Sequence, residues 1–474
     1  MIRNKWLVLF SLVGSMAMIM LDQSIVNVAL PSIQRYMMAS DHEVHWIVNA
    51  YLLALSAFLL GSGRMADLYG PRRVFLSSLI VFTGASWLCA VAAGPIQLII
   101  GRAMQGLGAA LLLPPVMPLL YKIFPVDQRG DSVGAMIGMS GLFICIGPFL
   151  GGWITQTWGW DRIFWINIPI GIISFLGAYT CLPADESLDF KEGFDVWGMV
   201  SSVLGLGGIV SGIMQAQIWG LWSLPTLSLF LLGILGLFCF LFIERKNSEP
   251  LLDFSIFEEQ TFLGANLALF CAHFLLMSGV FMAFFFQEVL AYPPMLAGLM
   301  TLPAIFPLVV LAPLTGVMTR KWGLRTVSIL AMLMQTIGLV YLSLSFDQKN
   351  YLSVLPGYIL FGCGMPLILV PSQVSAVNIV RPNLRGAASA VLTLVRQMGA
   401  TVGMAVIAFL LVLTESQSAN RELISKNELF VSALKTTFMF LSIVGAVGVF
   451  FIWYFMNDER SYEEKEEKLG KGIS

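Results

Sequence analysis

The chain has 474 residues, of which 57% are hydrophobic and 12% are charged, and its formal net charge is −1. Soluble globular proteins carry roughly a quarter charged residues, so the charge density here is about half of theirs. This composition excludes an ordinary soluble domain, and from the nearly balanced charge we expect no nucleic-acid partner.

The apolar residues form segments of about 20 residues, the length at which a helix crosses a bilayer. The first segment follows Arg3 and Lys5 and is too long for a signal-peptide core, so it predicts an uncleaved helix. In chain order the segments cover roughly residues 6–30, 46–65, 74–93, 96–120, 133–157, 163–182, 197–217, 225–243, 262–287, 296–319, 326–345, 352–378, 386–413 and 433–456. We therefore predict an all-α polytopic membrane protein with about 14 transmembrane helices.

The basic residues indicate how these helices are oriented. With an even number of spans and both termini in the cytoplasm, most of the 27 Lys and Arg residues face the cytoplasm, as the positive-inside rule requires. We therefore expect a multi-pass protein of the cell membrane with cytoplasmic termini.

An internal echo indicates two related halves. The stretch GRMADLYGPRR (63–73) follows the second segment, and the similar GVMTRKWGLR (316–325) follows the tenth. Many transporters consist of such repeats, with the substrate site between them. We predict an N-terminal six-helix bundle at 1–182, two inserted linker helices with flanking cytoplasmic loops at 183–257, a C-terminal six-helix bundle at 258–456 and a charged cytoplasmic tail at 457–474.

Several ordered motifs carry a family resemblance. They are GRMADLYGPRR in the loop after the second segment, RAMQGLGAA (102–110) in the fourth, GPFLGG (147–152) in the fifth, and LDQSIVNVALP, WDRIFWINIPIG, LRGAASA and RQMGATVG elsewhere. Together they resemble the fourteen-helix drug–proton antiporter branch of the major facilitator superfamily, over nearly the whole chain. The resemblance implies the major facilitator fold, with two six-helix bundles plus two extra central helices, in a bacterial plasma or inner membrane.

Asp22 and Arg102 interrupt the first and fourth apolar segments. Counted from Lys5 and Lys122 at 1.5 Å per residue, both lie roughly 25–30 Å from the cytoplasmic face. The implied fold places the first and fourth helices together, so an ion pair is expected. Because intramembrane charges are costly and usually line pathways, we interpret the pair as proton-coupling. The alternative is a structural ion pair that only locks the helices.

Other polar residues are candidates for the substrate cavity. Gln23 and Asn27 stand one turn apart beside Asp22, and Gln105 lies one turn from Arg102. These amides can bind the substrate or hold helices together. Arg396 lies near the predicted midplane. It either has a role in the cavity or in gating, or it is a structural partner of helix carbonyls.

Two further residues are candidates for proton coupling, and each has a structural alternative. His273 lies near or beyond the middle of the ninth segment, where it is either a proton relay or a packing residue. Glu288 lies near the outer end of the same segment, where it is either an entrance or coupling carboxylate or an interfacial charge.

The loop after the second segment predicts a gate. Gly63 and Gly70 allow close approach and a sharp turn, and Asp67 can meet a helix N-terminus or a basic residue. Arg72 and Arg73 can hold carboxylates or helix C-terminal carbonyls. Such contacts form an inner latch, although basic residues here also set orientation.

GPFLGG predicts a bendable, closely packed fifth helix. Pro148 lacks an amide donor, and Gly147, Gly151 and Gly152 lack side-chain bulk. The resemblance, rather than the spacing, links this motif to export.

From these features we predict a proton-coupled antiporter that exports amphiphilic, cationic or multidrug-type compounds by alternating access. Its expected partners are a small-molecule substrate, protons and membrane lipid, and we expect a monomer. One alternative is a dedicated exporter of one metabolite, such as a siderophore, a lipid-like compound or a peptide, including anionic ones, and another is a transport-inactive receptor. We expect no enzyme, no cofactor and no metal, because the sequence shows no nucleophile arrangement, no metal-ligand spacing of its six cysteines and no phosphate-binding loop.

Overall fold

A computed structural model describes residues 5–185, 195–247, 251–292, 294–381, 384–418 and 426–457. Nearly all of these residues are helical, and none of them forms a strand. Fourteen of the described helical stretches are long and apolar enough to cross a membrane. The predicted all-α architecture and the predicted number of spans are therefore confirmed.

The first six spans are formed by seven helices. These are α1 (Lys5–Met37), α2 (Asp41–Tyr69), α3 (Pro71–Ala90), α4 (Pro95–Ile123), α5 (Val126–Trp158), α6 (Arg162–Trp165) and α7 (Asn167–Cys181). The single turn α6 and the helix α7 together make the sixth span, which covers Arg162–Cys181.

Two inserted helices follow, α8 (Val196–Trp219) and α9 (Leu224–Lys246). The side chain of Asp195 accepts a hydrogen bond from the amide of Gly198 and caps α8, and Ser223 caps α9 in the same way. Such caps satisfy backbone donors that the helix itself leaves unpaired.

The last six spans complete the described chain. They are α10 (Gln260–Leu276) with α11 (Ser278–Phe284) and a π-helical turn (Phe285–Val289), then α12 (Pro294–Trp322), α13 (Leu324–Ser345), α14 (Tyr351–Ile379), α15 (Arg385–Ser418) and α16 (Lys426–Phe455). Short 3₁₀ turns cover Phe254–Phe257 and Phe346–Gln348.

The two echoing loops adopt the same local structure. Gly70 has φ +91° and joins α2 to α3, and Gly323 has φ +84° and joins α12 to α13. A side chain would be strained at these φ values, so glycine permits each direct helix-to-helix turn. Pro71 starts α3 at a position where a missing amide hydrogen costs little.

The described residues divide into two compact units. Unit 1 comprises those of Met1–Ser132, Met139–Ile256 and Val380–Leu394, and unit 2 comprises those of Val133–Gly138, Phe257–Ile379 and Val395–Ser474. The start of α15 thus belongs to unit 1, and the rest of that helix belongs to unit 2. The domain limits at 182, 257 and 456 stay predictions, and the predicted tail after Asn457 lies outside the described residues.

Candidate functional site

Asp22 on α1 and Arg102 on α4 form an ion pair in the interior of unit 1. Nη1 of Arg102 lies 2.5 Å from Oδ2 of Asp22, and the side chains are 2% and 0% exposed respectively. The Nε of Arg102 also donates to the carbonyl of Ile47 at 3.2 Å. The guanidinium carbon lies 4.4 Å from the ring centroid of Tyr51. Groups from α1 and α2 therefore surround the buried guanidinium, and the paired carboxylate balances its charge.

Amide side chains complete the hydrogen bonding of this pair. Nε2 of Gln105 donates to Oδ1 of Asp22 at 3.1 Å, and its Oε1 accepts from Arg102 at 2.7 Å. Nδ2 of Asn167, at the start of α7, donates to the same Asp22 oxygen at 3.2 Å. Gln105 and Asn167 also donate to the hydroxyl of Ser86 at 2.6 and 3.3 Å. Both carboxylate oxygens are thus hydrogen-bonded, which compensates for their removal from water.

Small residues on α4 bring these groups together. A methyl group at Gly106 would overlap the carbonyl oxygen of Tyr51, and one at Gly108 would lie 2.8 Å from the backbone of Phe82. Because neither position has a side chain, α4 approaches α2 and α3 at backbone distance. Arg102, one turn before Gly106, therefore reaches the neighbouring helices.

Two other predicted cavity residues, Gln23 and Asn27, belong to α1. Gln23 is half-buried, and the side chain of Asn27 lies outside the described part of the structure. Two members of the network, Ser86 and Asn167, were not predicted from the sequence. Asn167 is the one amide residue in the stretch WDRIFWINIPIG, and this isolation could have marked it as a polar residue of a membrane helix.

Asp67, near the end of α2, caps the first turn of α15. Its Oδ1 accepts from the backbone amide of Gly386 and its Oδ2 from that of Ala387, both at 2.8 Å. A Cβ at Gly63 would lie 2.6 Å from the Cβ of Ala390, so this glycine permits the close contact. A carboxylate at a helix N-terminus satisfies unpaired donors and complements the helix dipole. Of the two partners expected for Asp67, the structure shows the helix N-terminus.

The arginines that follow Gly70 contact the end of α7. The guanidinium of Arg72 donates to the carbonyl of Tyr179 at 2.8 Å. The backbone amides of Arg72 and Arg73 donate to the carboxylate of Asp185 at 3.2 and 3.0 Å, and Lys122 lies 3.5 Å from that carboxylate. Asp185, which lies in the charged stretch PADESLDFKEGFDVWG, was not singled out in the sequence.

The GPFLGG motif lies where α5 meets α1. A methyl group at Gly147 would overlap the hydroxyl of Ser24, and one at Gly151 would lie 2.8 Å from Cγ1 of Ile25. Gly152 faces more open space, with Val28 at 3.8 Å from an added Cβ. The side chain of Pro148 lies outside the described residues, while α5 itself runs through that position.

The remaining predicted residues belong to unit 2. His273 is buried in α10, and its Nδ1 lies 2.9 Å from the carbonyl of Leu269. Glu288 is exposed in the π-helical turn, and Arg396 is half-buried on α15. The structure therefore brings Asp22, Arg102 and Gln105 into one network, whereas His273, Glu288 and Arg396 lie outside it.

The fourteen long apolar helices define a multi-pass membrane protein, and its similarity to known proteins gives its family. The model of the Major Facilitator Superfamily matches residues 12–194 and 195–404, and the chain belongs to this family. It is a multi-pass membrane transporter, and members of the family bind small-molecule substrates.

Similar proteins include drug-resistance proteins. The chain is 31% identical over 409 residues to the multidrug resistance protein Stp of Mycobacterium tuberculosis, covering 85% of this chain and 75% of Stp. It is 28% identical to the tetracenomycin C resistance and export protein of Streptomyces glaucescens, covering 86% and 76%. The solved structure of the proton:xylose symporter XylE is similar in fold alone, with a TM-score of 0.67, 14% identity and 95% of each chain covered.

Proposed function

We propose that this chain is a proton-coupled antiporter that exports amphiphilic small molecules across the cell membrane by alternating access, with both termini in the cytoplasm. The observation that carries this proposal is the Asp22 carboxylate, fully buried and paired with Arg102 at 2.5 Å. A transporter that needed this position only for packing would be served better by apolar side chains, because a buried ion pair contributes little net stability.

Proton exchange requires this network to open. The carboxylate of Asp22 is 0% exposed here, so water reaches it only after α1 and α4 separate or the amides of Gln105 and Asn167 turn away. A proton added to Asp22 removes the charge that attracts Arg102. Substrate binding that restores the ion pair would then release the proton. One carboxyl group can therefore couple the movement of a proton to the movement of the substrate.

We assign gating to the contact between Asp67 and the start of α15. Its two 2.8 Å hydrogen bonds form in the conformation described here. A conformational change that moves α15 away from α2 leaves the amides of Gly386 and Ala387 without this acceptor. The contact therefore favours the conformer that contains it.

A dedicated exporter of one acidic metabolite is the second candidate. The observation that favours it is Arg396, which lies in a membrane-spanning part of α15 with its Nε buried and unpartnered. Arg102 already balances the negative charge of Asp22. The carboxylate therefore offers a cationic substrate no free negative charge. A cationic, multidrug-type substrate stays a prediction, as do the monomeric state and the role of lipid.

Transport by reconstituted protein tests the proposal. We expect vesicles containing the wild-type chain to move the fluorescent cation ethidium, or an acidic amphiphile, only against a proton flux, and Asp22→Asn to abolish this coupling. Asp347→Asn is the matched control, because it removes a carboxylate that pairs at the surface with Lys435. Coupled transport by Asp22→Asn at the wild-type rate would overturn the assignment.

A further inference from the structure

Arg396 lies on the face of α15 that packs against α10. A Cβ at Gly399 would lie 2.5 Å from the carbonyl oxygen of Phe270, and one at Gly403 would lie 2.5 Å from that of Phe274. Residues 396, 399 and 403 follow the i, i+3, i+7 spacing of one helix face. The side chain of Arg396 therefore starts from the interior face of unit 2, beside the contact made by Gly399.

The charge of Arg396 has no counter-charge among the described residues. Its Nε is buried without a hydrogen-bond partner, and neither an ion pair nor a ring contact involves it. The carboxylate of Asp347 pairs with Lys435 at 2.5 Å, and Glu288 is exposed. Arg102 in unit 1, by contrast, has a carboxylate, a carbonyl and a ring around it. A partly buried cation in a membrane span, without such partners, is costly unless an anion is bound there for part of the transport cycle.

Two side chains of α10 with acceptor atoms lie beside the same contact. Nδ2 of Asn266 donates to the carbonyl of Phe262 at 2.9 Å, which leaves its Oδ1 buried without a partner. Nδ1 of His273 faces the carbonyl of Leu269 at 2.9 Å, so in the neutral ring Nδ1 carries the proton and Nε2 is an acceptor.

The spacing on α10 brings these acceptors toward Arg396. Asn266 and His273 stand four residues before and three after Phe270, the residue under Gly399, and so lie along one side of the α10 face that meets α15. One cationic donor and two acceptors thus lie on the helix faces that form the α10–α15 contact of unit 2.

We propose that Arg396, His273 and Asn266 bind the acidic group of an amphiphilic substrate. A carboxylate or ionised phenol would accept hydrogen bonds from the planar guanidinium, the pairing that arginine forms most strongly. A hydroxyl or N–H next to that group would satisfy Nε2 of His273 and Oδ1 of Asn266. This inference rests on the proposed export function and specifies the charge of the substrate.

The test compares two probes that differ only in the acidic group. Binding of 6-hexyl-2-naphthoate and of its uncharged amide, 6-hexyl-2-naphthamide, is measured on the purified full-length chain by isothermal titration calorimetry. We expect the wild-type chain to bind the carboxylate roughly tenfold or more tightly than the amide, since a charge-assisted hydrogen bond supports at least that ratio. Arg396→Gln should reduce the ratio to about one, and Arg396→Lys should keep part of it.

Two controls separate recognition from folding. Arg325→Gln removes an arginine that instead contacts the carbonyl and ring of Trp453, and we expect it to keep the preference for the carboxylate. Thermal unfolding gives a second readout, in which the naphthoate should raise the Tm of the wild type but not of Arg396→Gln. Equal binding of the two probes by the wild type, or an unchanged preference in Arg396→Gln, would overturn the proposal.

A failure of the acidic-group site and a failure of proton coupling through Asp22 give different results. Equilibrium binding needs no proton gradient, so Asp22→Asn should retain the preference for the carboxylate. If the preference is absent while transport still depends on Asp22, only the acidic-group site is refuted. If the preference depends on Arg396 while Asp22→Asn transports normally, only proton coupling through Asp22 is refuted.

Discussion

The carboxylate of Asp67 accepts a hydrogen bond at 2.8 Å from the backbone amide of Gly386, which lies 319 residues further along the chain. The second oxygen of Asp67 makes an equivalent bond to the next amide. This bidentate cap ties the loop motif at the end of α2 to the beginning of α15. We assign the predicted latch to these two hydrogen bonds.

We expect Asp67→Asn to slow transport several-fold without unfolding the protein. An amide has one acceptor oxygen, and its NH₂ group would face a backbone donor. Loss of such a helix cap costs roughly 1 kcal/mol, enough to lower the ratio of the capped to the uncapped conformer about fivefold. The initial rate of probe transport by reconstituted vesicles measures this effect.

Asp161→Asn is the control for that variant. Its carboxylate is 32% exposed and lies 3.4 Å from Arg162, so its loss should leave the transport rate unchanged. If both variants transport like the wild type, the capping contact has no role in gating.

A double substitution separates the functional and structural interpretations of the buried ion pair. Arg102→Gln alone should destabilise the protein by roughly 3–5 kcal/mol, because it leaves the Asp22 carboxylate buried and uncompensated. Adding Asp22→Asn should recover most of that stability, since two amides can hydrogen-bond to each other. Thermal unfolding in detergent measures both changes.

Transport by the double variant then decides between the two interpretations. We expect a folded protein that binds substrate but does not exchange it for protons. Restored proton-coupled transport would show that the pair of Asp22 and Arg102 only holds helices together.

The GPFLGG motif contains its own matched pair of glycines. Gly151→Ala would place a methyl group 2.8 Å from Ile25, and we expect a loss of roughly 1–3 kcal/mol because α1 and α5 must move apart. Gly152→Ala places its methyl group 3.8 Å from the nearest atom, so its unfolding temperature should match that of the wild type. Equal unfolding temperatures for the two variants would contradict the close packing described here.

The sequence was sufficient for the number of spans and for the matching positions of Asp22 and Arg102 along their helices. Apolar length predicts spans directly, and a helix rises by a fixed distance per residue, so the similar depths of Asp22 and Arg102 followed from counting. Their pairing, however, required the family resemblance, because spacing along one helix says nothing about which helices are neighbours.

The residues that complete the network could not be predicted in the same way. Ser86 and Asn167 contact Gln105 and Asp22, and the four residues lie on four different helices. A serine or amide in a membrane helix has many potential partners, including its own backbone. Likewise, the sequence left Asp67 either a helix N-terminus or a basic residue as its partner, and only the structure shows that its carboxylate binds the first turn of α15.

Proton release on substrate binding tests the central claim most directly. Ethidium or 6-hexyl-2-naphthoate is added to purified protein in weakly buffered detergent solution, and the released protons are measured with a pH-sensitive dye. We predict that substrate binding releases protons from the wild type, from those chains in which Asp22 was protonated beforehand, and none from Asp22→Asn at the same substrate occupancy. Equal proton release by the two proteins would contradict the role of Asp22.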